Sequence, residues 1–225
     1  MKANREYKNA ALAALKDNWA PSVVCAIVIT LLVCLLIAPV WISNMSVMGM
    51  LGSFTVPATL YKAFTWGSYP VNFLIIYPLT LGYTIAHHRL LRDGDNRLTY
   101  NTFQAALDGY LKNLCAIFLL LVYIILWSLL LLIPGIIKSF AYAMTPYILK
   151  DNPELSANQA ISLSEKMMKG HKFDLFYLCL SFIGWGILCL FTMGIGTVWL
   201  MPYMYTAIAD FYEDVKKDFQ TTNNI

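Results

Sequence analysis

Six long apolar runs, separated by short charged or glycine- and proline-marked connections, set the pattern of the chain: residues 22–42, 70–86, 113–133, 136–149, 173–193 and 195–209. As a helix rising 1.5 Å per residue the first is about 31 Å long, enough to cover a hydrocarbon layer of roughly 30 Å. These runs lack the polar face that a helix on a water-soluble domain carries, so each is expected to cross a bilayer. Pro134 and Gly135 divide the third run from the fourth, because proline donates no backbone hydrogen bond and glycine is a poor helix interior. Gly194 and Gly196 divide the fifth from the sixth. The fourth and sixth fall short of the roughly 17 residues usually needed, a gap that snorkelling by Lys138 and Lys150 and helical extension through Tyr212 can close. The expected fold class is all-α: one polytopic transmembrane helical bundle of about six spans, occupying residues 1–225.

Three stretches between the runs alternate apolar and charged positions at helical spacing. In residues 4–19, Tyr7, Ala11, Ala14, Leu15 and Trp19 recur among Arg5, Glu6, Lys8, Lys16 and Asp17; residues 99–112 form a second such stretch. In residues 153–169 the apolar positions are Ala157, Ala160, Ile161 and Met168, with Asn152 as the expected cap, Pro153 as first helical residue and Gly170 as the stop. All three are expected as amphipathic helices lying on the membrane surface. Residues 43–67 hold one charge, Lys62, and are expected to dip into the interface without crossing. Residues 210–225 read as a polar tail.

Charge then orients the bundle. With six spans drawn, every Lys and Arg except Lys62 and Lys138 falls on one side, together with all 13 acids. Short loops rich in cations stay in the cytoplasm, so both ends of the chain are expected there. A span through 47–60, or none through 136–149, would put a basic connection on the wrong side. Trp19, Trp41, Trp66 and Trp199 fall near span ends, as interfacial anchors do.

Composition agrees with this reading and narrows the chemistry. Hydrophobic residues make up 59% and charged residues 13%, with mean hydropathy +0.59, which does not describe a water-soluble domain. No basic stripe suits nucleic acid, and the lipid bilayer is the expected partner. The five cysteines lie in apolar stretches without zinc spacing and read as buried, reduced packing residues. No Asp, Glu or His falls mid-span, and no hydrolase, phosphate-loop, metal or cofactor motif occurs. His87 and His88 are adjacent, so on a helix they point about 100° apart and grip one ion poorly. His171 and Asp174 have a spacing that could share a ligand, although Gly170 marks a helix end there. The candidate functional positions are these two together with Lys138, read as snorkelling to the far side; Pro146 and Pro202, whose kinks leave carbonyls unpaired; Tyr147 and Tyr203 beside them; and Asp210. Met144-Thr-Pro-Tyr147 and Met201-Pro-Tyr203 faintly echo each other.

Two stretches are more specific than periodicity: Ile133-Pro-Gly-Ile-Ile-Lys-Ser-Phe-Ala-Tyr-Ala-Met-Thr-Pro-Tyr147 running into Asp151-Asn-Pro-Glu-Leu-Ser156, and Ser164-Glu-Lys-Met-Met-Lys-Gly-His-Lys172 leading to Leu180-Ser-Phe-Ile-Gly-Trp185. With Met201-Pro-Tyr-Met-Tyr205, Phe211-Tyr-Glu213 and the opening Ala14-Leu-Lys-Asp-Asn-Trp19, the chain resembles the bacterial membrane family called domain-of-unknown-function 975 over nearly its whole length. The resemblance implies a polytopic protein of the bacterial cytoplasmic membrane with no established activity, similar to the membrane anchor of some glycerophosphodiester phosphodiesterases but without their catalytic domain. It supplies no catalytic residues. The expected function is a non-catalytic membrane subunit or regulator that binds a protein partner or lipid from the cytoplasmic face. The alternative is a small transporter or channel with a cavity between the kinked later spans.

Overall fold

The computed structural model describes residues 2–48, 50 and 56–223, and every regular element among them is a helix. In chain order these are α1 (Asn4–Leu15), α2 (Trp19–Val47), α3 (Ala58–Val71), a π-helical segment (Asn72–Ile76), α4 (Tyr77–Asp93), α5 (Leu98–Leu107) and α6 (Tyr110–Leu130), followed by α7 (Leu132–Tyr142), α8 (Thr145–Asp151), α9 (Ala157–Met167), α10 (Lys172–Leu180), α11 (Ile183–Phe191) and α12 (Thr197–Asn223). Three helical stretches are long and apolar enough to cross a membrane: Trp19–Val47, Tyr110–Leu129 and Lys172–Phe191.

Several expectations change. Within residues 43–67, α2 runs on to Val47, and α3 leads through the π segment into α4, with α2 and α3 packed together. Residues 51–55 of that stretch lie outside the described residues. Pro134 sits inside the first turn of α7, where its missing donor matters little, and the chain breaks at the extended Leu131 just before it. The fourth run is divided at Ala143–Met144 and the fifth at Ser181–Phe182. The helix expected from Pro153 starts later, because Ser156 wins the cap: its hydroxyl accepts from the Gln159 backbone while the Gln159 side chain accepts from the Ser156 N–H. The largest change is at the end of the chain, where the expected polar tail is a continuation of α12 with Phe211, Tyr212 and Val215 fully buried. Of the cysteines, only Cys25 and Cys189 are buried; Cys34 and Cys115 are exposed.

The amphipathic helices pack apolar residues on protein. Tyr7, Ala11 and Leu15 of α1 are buried, and α1 packs on α12. Leu98, Ala105 and Ala106 of α5 are buried, and α5 packs on α4 so closely that a Cβ on Gly82 would stand 2.2 Å from the Thr102 carbonyl oxygen. Ala157, Ala160, Ile161 and Ser164 of α9 are buried against α6, α7 and α8, and the Ser164 hydroxyl donates to the Ala141 carbonyl at 2.8 Å. Apolar stripes of this width are ordinary for helices packed on protein.

A recurring order follows. Each unit has a short amphipathic helix, a long apolar passage and a returning helix: α1, α2 and α3–α4; then α5, α6 and α7–α8; then α9, α10–α11 and α12. Every amphipathic helix packs on the returning helix of the unit before it, α5 on α4 and α9 on α8, and α1 closes the ring on α12. The main apolar core lies where these returning helices meet, built around Tyr7, Met144, Tyr147, Ile148, Phe211 and Tyr212. Large apolar side chains are exposed elsewhere, along α2, α3, the α6–α7 turn and α10–α11.

Candidate functional site

The ends of α4 and α8 and an interior stretch of α12 assemble two layers, with their members four residues apart and so on one face of each helix. The first layer is aromatic. Tyr147 of α8 stacks on Tyr212 of α12 with ring centres 4.8 Å apart, and the His88 ring of α4 stands edge-on to both, at 5.3 and 5.4 Å. The second layer, one turn on, is charged: Asp151 receives Arg92 at 3.0 Å, pairs with Lys216, and accepts the Tyr212 hydroxyl at 2.9 Å. Glu213 accepts from His88 Nε2 at 2.6 Å, although the His88 side chain is only 1% exposed.

A neighbouring cluster ties α1 to α12. The Lys2 ammonium lies 2.9 Å from Asp210, the Lys2 backbone N–H donates to Asp214 at 2.8 Å, and the Tyr7 hydroxyl donates to the same carboxylate at 2.6 Å. These partners set the titration of the acids. The hydrogen bond from His88 holds Glu213 below the ordinary carboxylate range. Burial by itself would raise Asp151 and Asp214, but the bonds from Lys216 and Tyr212 to the first, and from Tyr7 to the second, outweigh it and leave both lowered.

The structure distributes the sequence candidates widely. Tyr147 belongs to the aromatic layer and Asp210 to the cluster beside it. His171 and Asp174 do meet, at 3.4 Å, and His171 also reaches Asp218 at 3.1 Å. Pro202 is buried within α12, its carbonyl accepting the Thr206 hydroxyl, and Tyr203 packs edge-on to Phe182. Lys138 is not a lone cation: it pairs with Glu165 at 2.5 Å and lies over the Trp127 ring, because α9 packs along α7. Pro146 lines a cavity of about 230 Å³ between α4, α6, α8 and α12, together with Thr80, Thr84, Thr145 and Tyr205. All three threonine hydroxyls donate to backbone carbonyls, Thr80 and Thr84 within α4 and Thr145 to Tyr142 at the end of α7, so the walls present little free polarity. His87 turns away from His88, its Nδ1 on the Tyr83 carbonyl. Nε2 of His87 and the hydroxyls of Tyr83 and Tyr147 are buried without a hydrogen-bond partner among the described residues. No group of three or more His, Cys, Asp or Glu is placed to hold a metal among those residues.

Arg92, Asp151, Glu213, Asp214 and Lys216 were not among the candidates. A signal was present: His88 with Arg92, Tyr147 with Asp151, and Tyr212 with Lys216 each place a charge four residues after an aromatic ring. Of the tyrosines in the two echoing motifs, Tyr147 meets Tyr212 and Tyr203 meets Phe182.

Taken with the three long apolar stretches, this is an all-helical protein with helices suited to crossing a membrane and a charged, interlocked end. Residues 110–218 match the model of the family described as "Protein of unknown function (DUF975)". The matched segment contains all the motifs after Leu132 that carry the resemblance and leaves out the opening Ala14–Trp19. No curated protein and no solved structure matches the chain.

Proposed function

We propose that the protein is an integral membrane protein of the bacterial cytoplasmic membrane that crosses the bilayer six times, keeps both ends in the cytoplasm, and acts as a non-catalytic subunit or regulator. The charged layer supports this reading above all. Lys2, Arg92, Asp151 and Lys216 come from the beginning, middle and end of the chain, yet they form adjoining ion-paired clusters. Groups so joined occupy one side of a membrane, and an apolar passage out and a helix back separate each from the next. The acids of the layer are committed to cations and hydroxyls within the fold, which suits a structural end better than a reacting centre. With the apolar faces of α1, α5 and α9 used in packing, the polar faces remain to meet a protein partner or lipid headgroups.

In a variant lacking native cysteines, Asn96→Cys, Glu154→Cys and Gln220→Cys should resist a membrane-impermeant label in intact cells while Met193→Cys accepts it; labelling of any of the first three defeats the topology. Photo-crosslinkers at Tyr100 on α5 and Ser162 on α9 should give a discrete protein or lipid adduct in membranes, and none from either face defeats the regulator reading. A small transporter or channel is the second reading, favoured by the cavity that Pro146 lines. Substrate-dependent protection of Thr84→Cys from a small permeant label would decide for it.

A further inference from the structure

Between them α7 and α10 leave a groove of about 370 Å³, within the roughly 300–1,000 Å³ of small-ligand sites. Its walls are Ile136 and Phe140 from α7 and Phe173 and Phe176 from α10, and the turn leading from α9 into α10 adds Lys169 and Lys172. The walls open outward: Ile136 is 48% exposed and Phe173 71%. Phe140 and Phe176 meet edge to face at 5.8 Å and fix one helix against the other.

The two lysines are uncompensated. The nearby carboxylates are engaged elsewhere, Glu165 with Lys138 and Asp174 with His171. Neither the Lys169 nor the Lys172 ammonium has an ion pair or hydrogen bond among the described residues. The turn that presents them is pinned at both ends, by the buried Met167 and Met168 before it and by His171 held between Asp174 and Asp218 after it. Gly170 within it has φ +96°, a left-handed conformation that other residues adopt only with strain. A fixed pair of cations beside an apolar slot is complementary to an amphiphile with an anionic head, since little ordering remains to be done on binding.

We propose that this groove binds an anionic phospholipid, with an acyl chain lying between α7 and α10 and the phosphate on Lys169 and Lys172. The proposal rests on the reading of the chain as membrane-embedded and gives its lipid-facing role a place and a chemical class. Lysine binds phosphate as a point charge without demanding one geometry, which suits a mobile headgroup.

The test uses the full chain in mixed micelles, with retained lipid measured by native mass spectrometry for phosphatidylglycerol against phosphatidylcholine of identical acyl chains. The wild type should prefer the anionic lipid by roughly tenfold to thirtyfold, the effect expected of two lysines near a headgroup. Lys169→Gln with Lys172→Gln should bring the preference to parity, and each single substitution should take about half of it on a logarithmic scale. Lys169→Glu with Lys172→Glu should reverse it. Lys166→Gln, exposed on α9 and outside the groove, should leave it unchanged. Ile136→Trp should lower retention of both lipids, and 10 mM inorganic phosphate should displace neither. Parity in the wild type, an equal loss with Lys166→Gln, or displacement by phosphate overturns the proposal. The micelle measurement is blind to sidedness, so its failure leaves the topology standing, and a failed topology leaves the groove to be judged by its own result.

Discussion

Asp151 is the residue on which the charged layer converges, and removing its carboxylate is the sharpest test of that layer. Its side chain is 8% exposed, whereas its partners Arg92 and Lys216 are 43% and 29% exposed. Asp151→Ala orphans the Tyr212 hydroxyl, at about 1–3 kcal/mol for a buried group left without a partner. It also takes the carboxylate from Lys216 and one of two from Arg92, which keeps Asp93 at 3.2 Å, each lost pair contributing about 0.5–1 kcal/mol after screening. The total is about 3 kcal/mol, which for a chain of this size lowers the unfolding temperature by about 6–12 °C. Asp151→Asn keeps an acceptor for Tyr212 and should cost about half as much. The measurement is thermal unfolding of the detergent-purified protein at one fixed scan rate. In combination with Lys216→Met the loss from Asp151→Asn should be less than additive, by about 0.5 kcal/mol or more, because the two share one interaction. If Asp151→Ala and Asp151→Asn both unfold within about 2 °C of wild type, the layer does not hold the helix ends together.

Four further outcomes follow from the same geometry, read by the same unfolding assay. Gly82→Ala drives a Cβ into the Thr102 carbonyl and the Ala106 nitrogen, backbone atoms that cannot swing aside, and should cost about 3 kcal/mol; Gly184→Ala, with open space around it, should be tolerated. Tyr147→Phe removes a buried hydroxyl that has no partner among the described residues while keeping the ring stack, so stability should hold or rise, and a fall of more than about 2 °C counts against the packing described. Ser156→Ala removes one arm of the capping box of α9 and should cost about 1 kcal/mol. Because Asp151, Glu213 and Asp214 are lowered in the folded protein, their stabilisation is present above the unfolded carboxylate range of about 4 and is lost as pH falls through their folded values. Unfolding temperature should therefore drop as the pH falls below about 4, less steeply in Asp151→Asn.

The apolar pattern made the all-helical class legible because uninterrupted runs such as 22–42 and 113–133 admit few alternatives. Periodicity also located α1, α5 and α9, but it could not tell whether an apolar stripe covers lipid or protein, since both demand the same spacing. The structure answers protein in all three cases. The start of α9 was misread because Asn152-Pro153 and Ser156 with Gln159 are both valid openings, and the reciprocal bonds of the second decide the competition. Lys138 was assigned from the order of spans alone, which carries no information about α9 folding back along α7 to bring Glu165 to it. The charged layer was hidden because its members lie far apart in the chain, although the aromatic-to-charge spacing of four residues was in view.

The closure of α1 on α12 bears on how the chain matures in the cell. The Tyr7 and Ala11 face of α1 is translated long before the α12 segment with Phe211, Tyr212 and Val215 that shares its core, so during synthesis that face waits uncovered until α12 follows. A ribosome stalled before Asp210, or a truncation there, would leave α1 unsheltered and the Arg92 and Asp151 ends without Lys216. Such intermediates are natural substrates for quality-control proteases, and cellular abundance of the protein should depend on its final helix more steeply than on any loop.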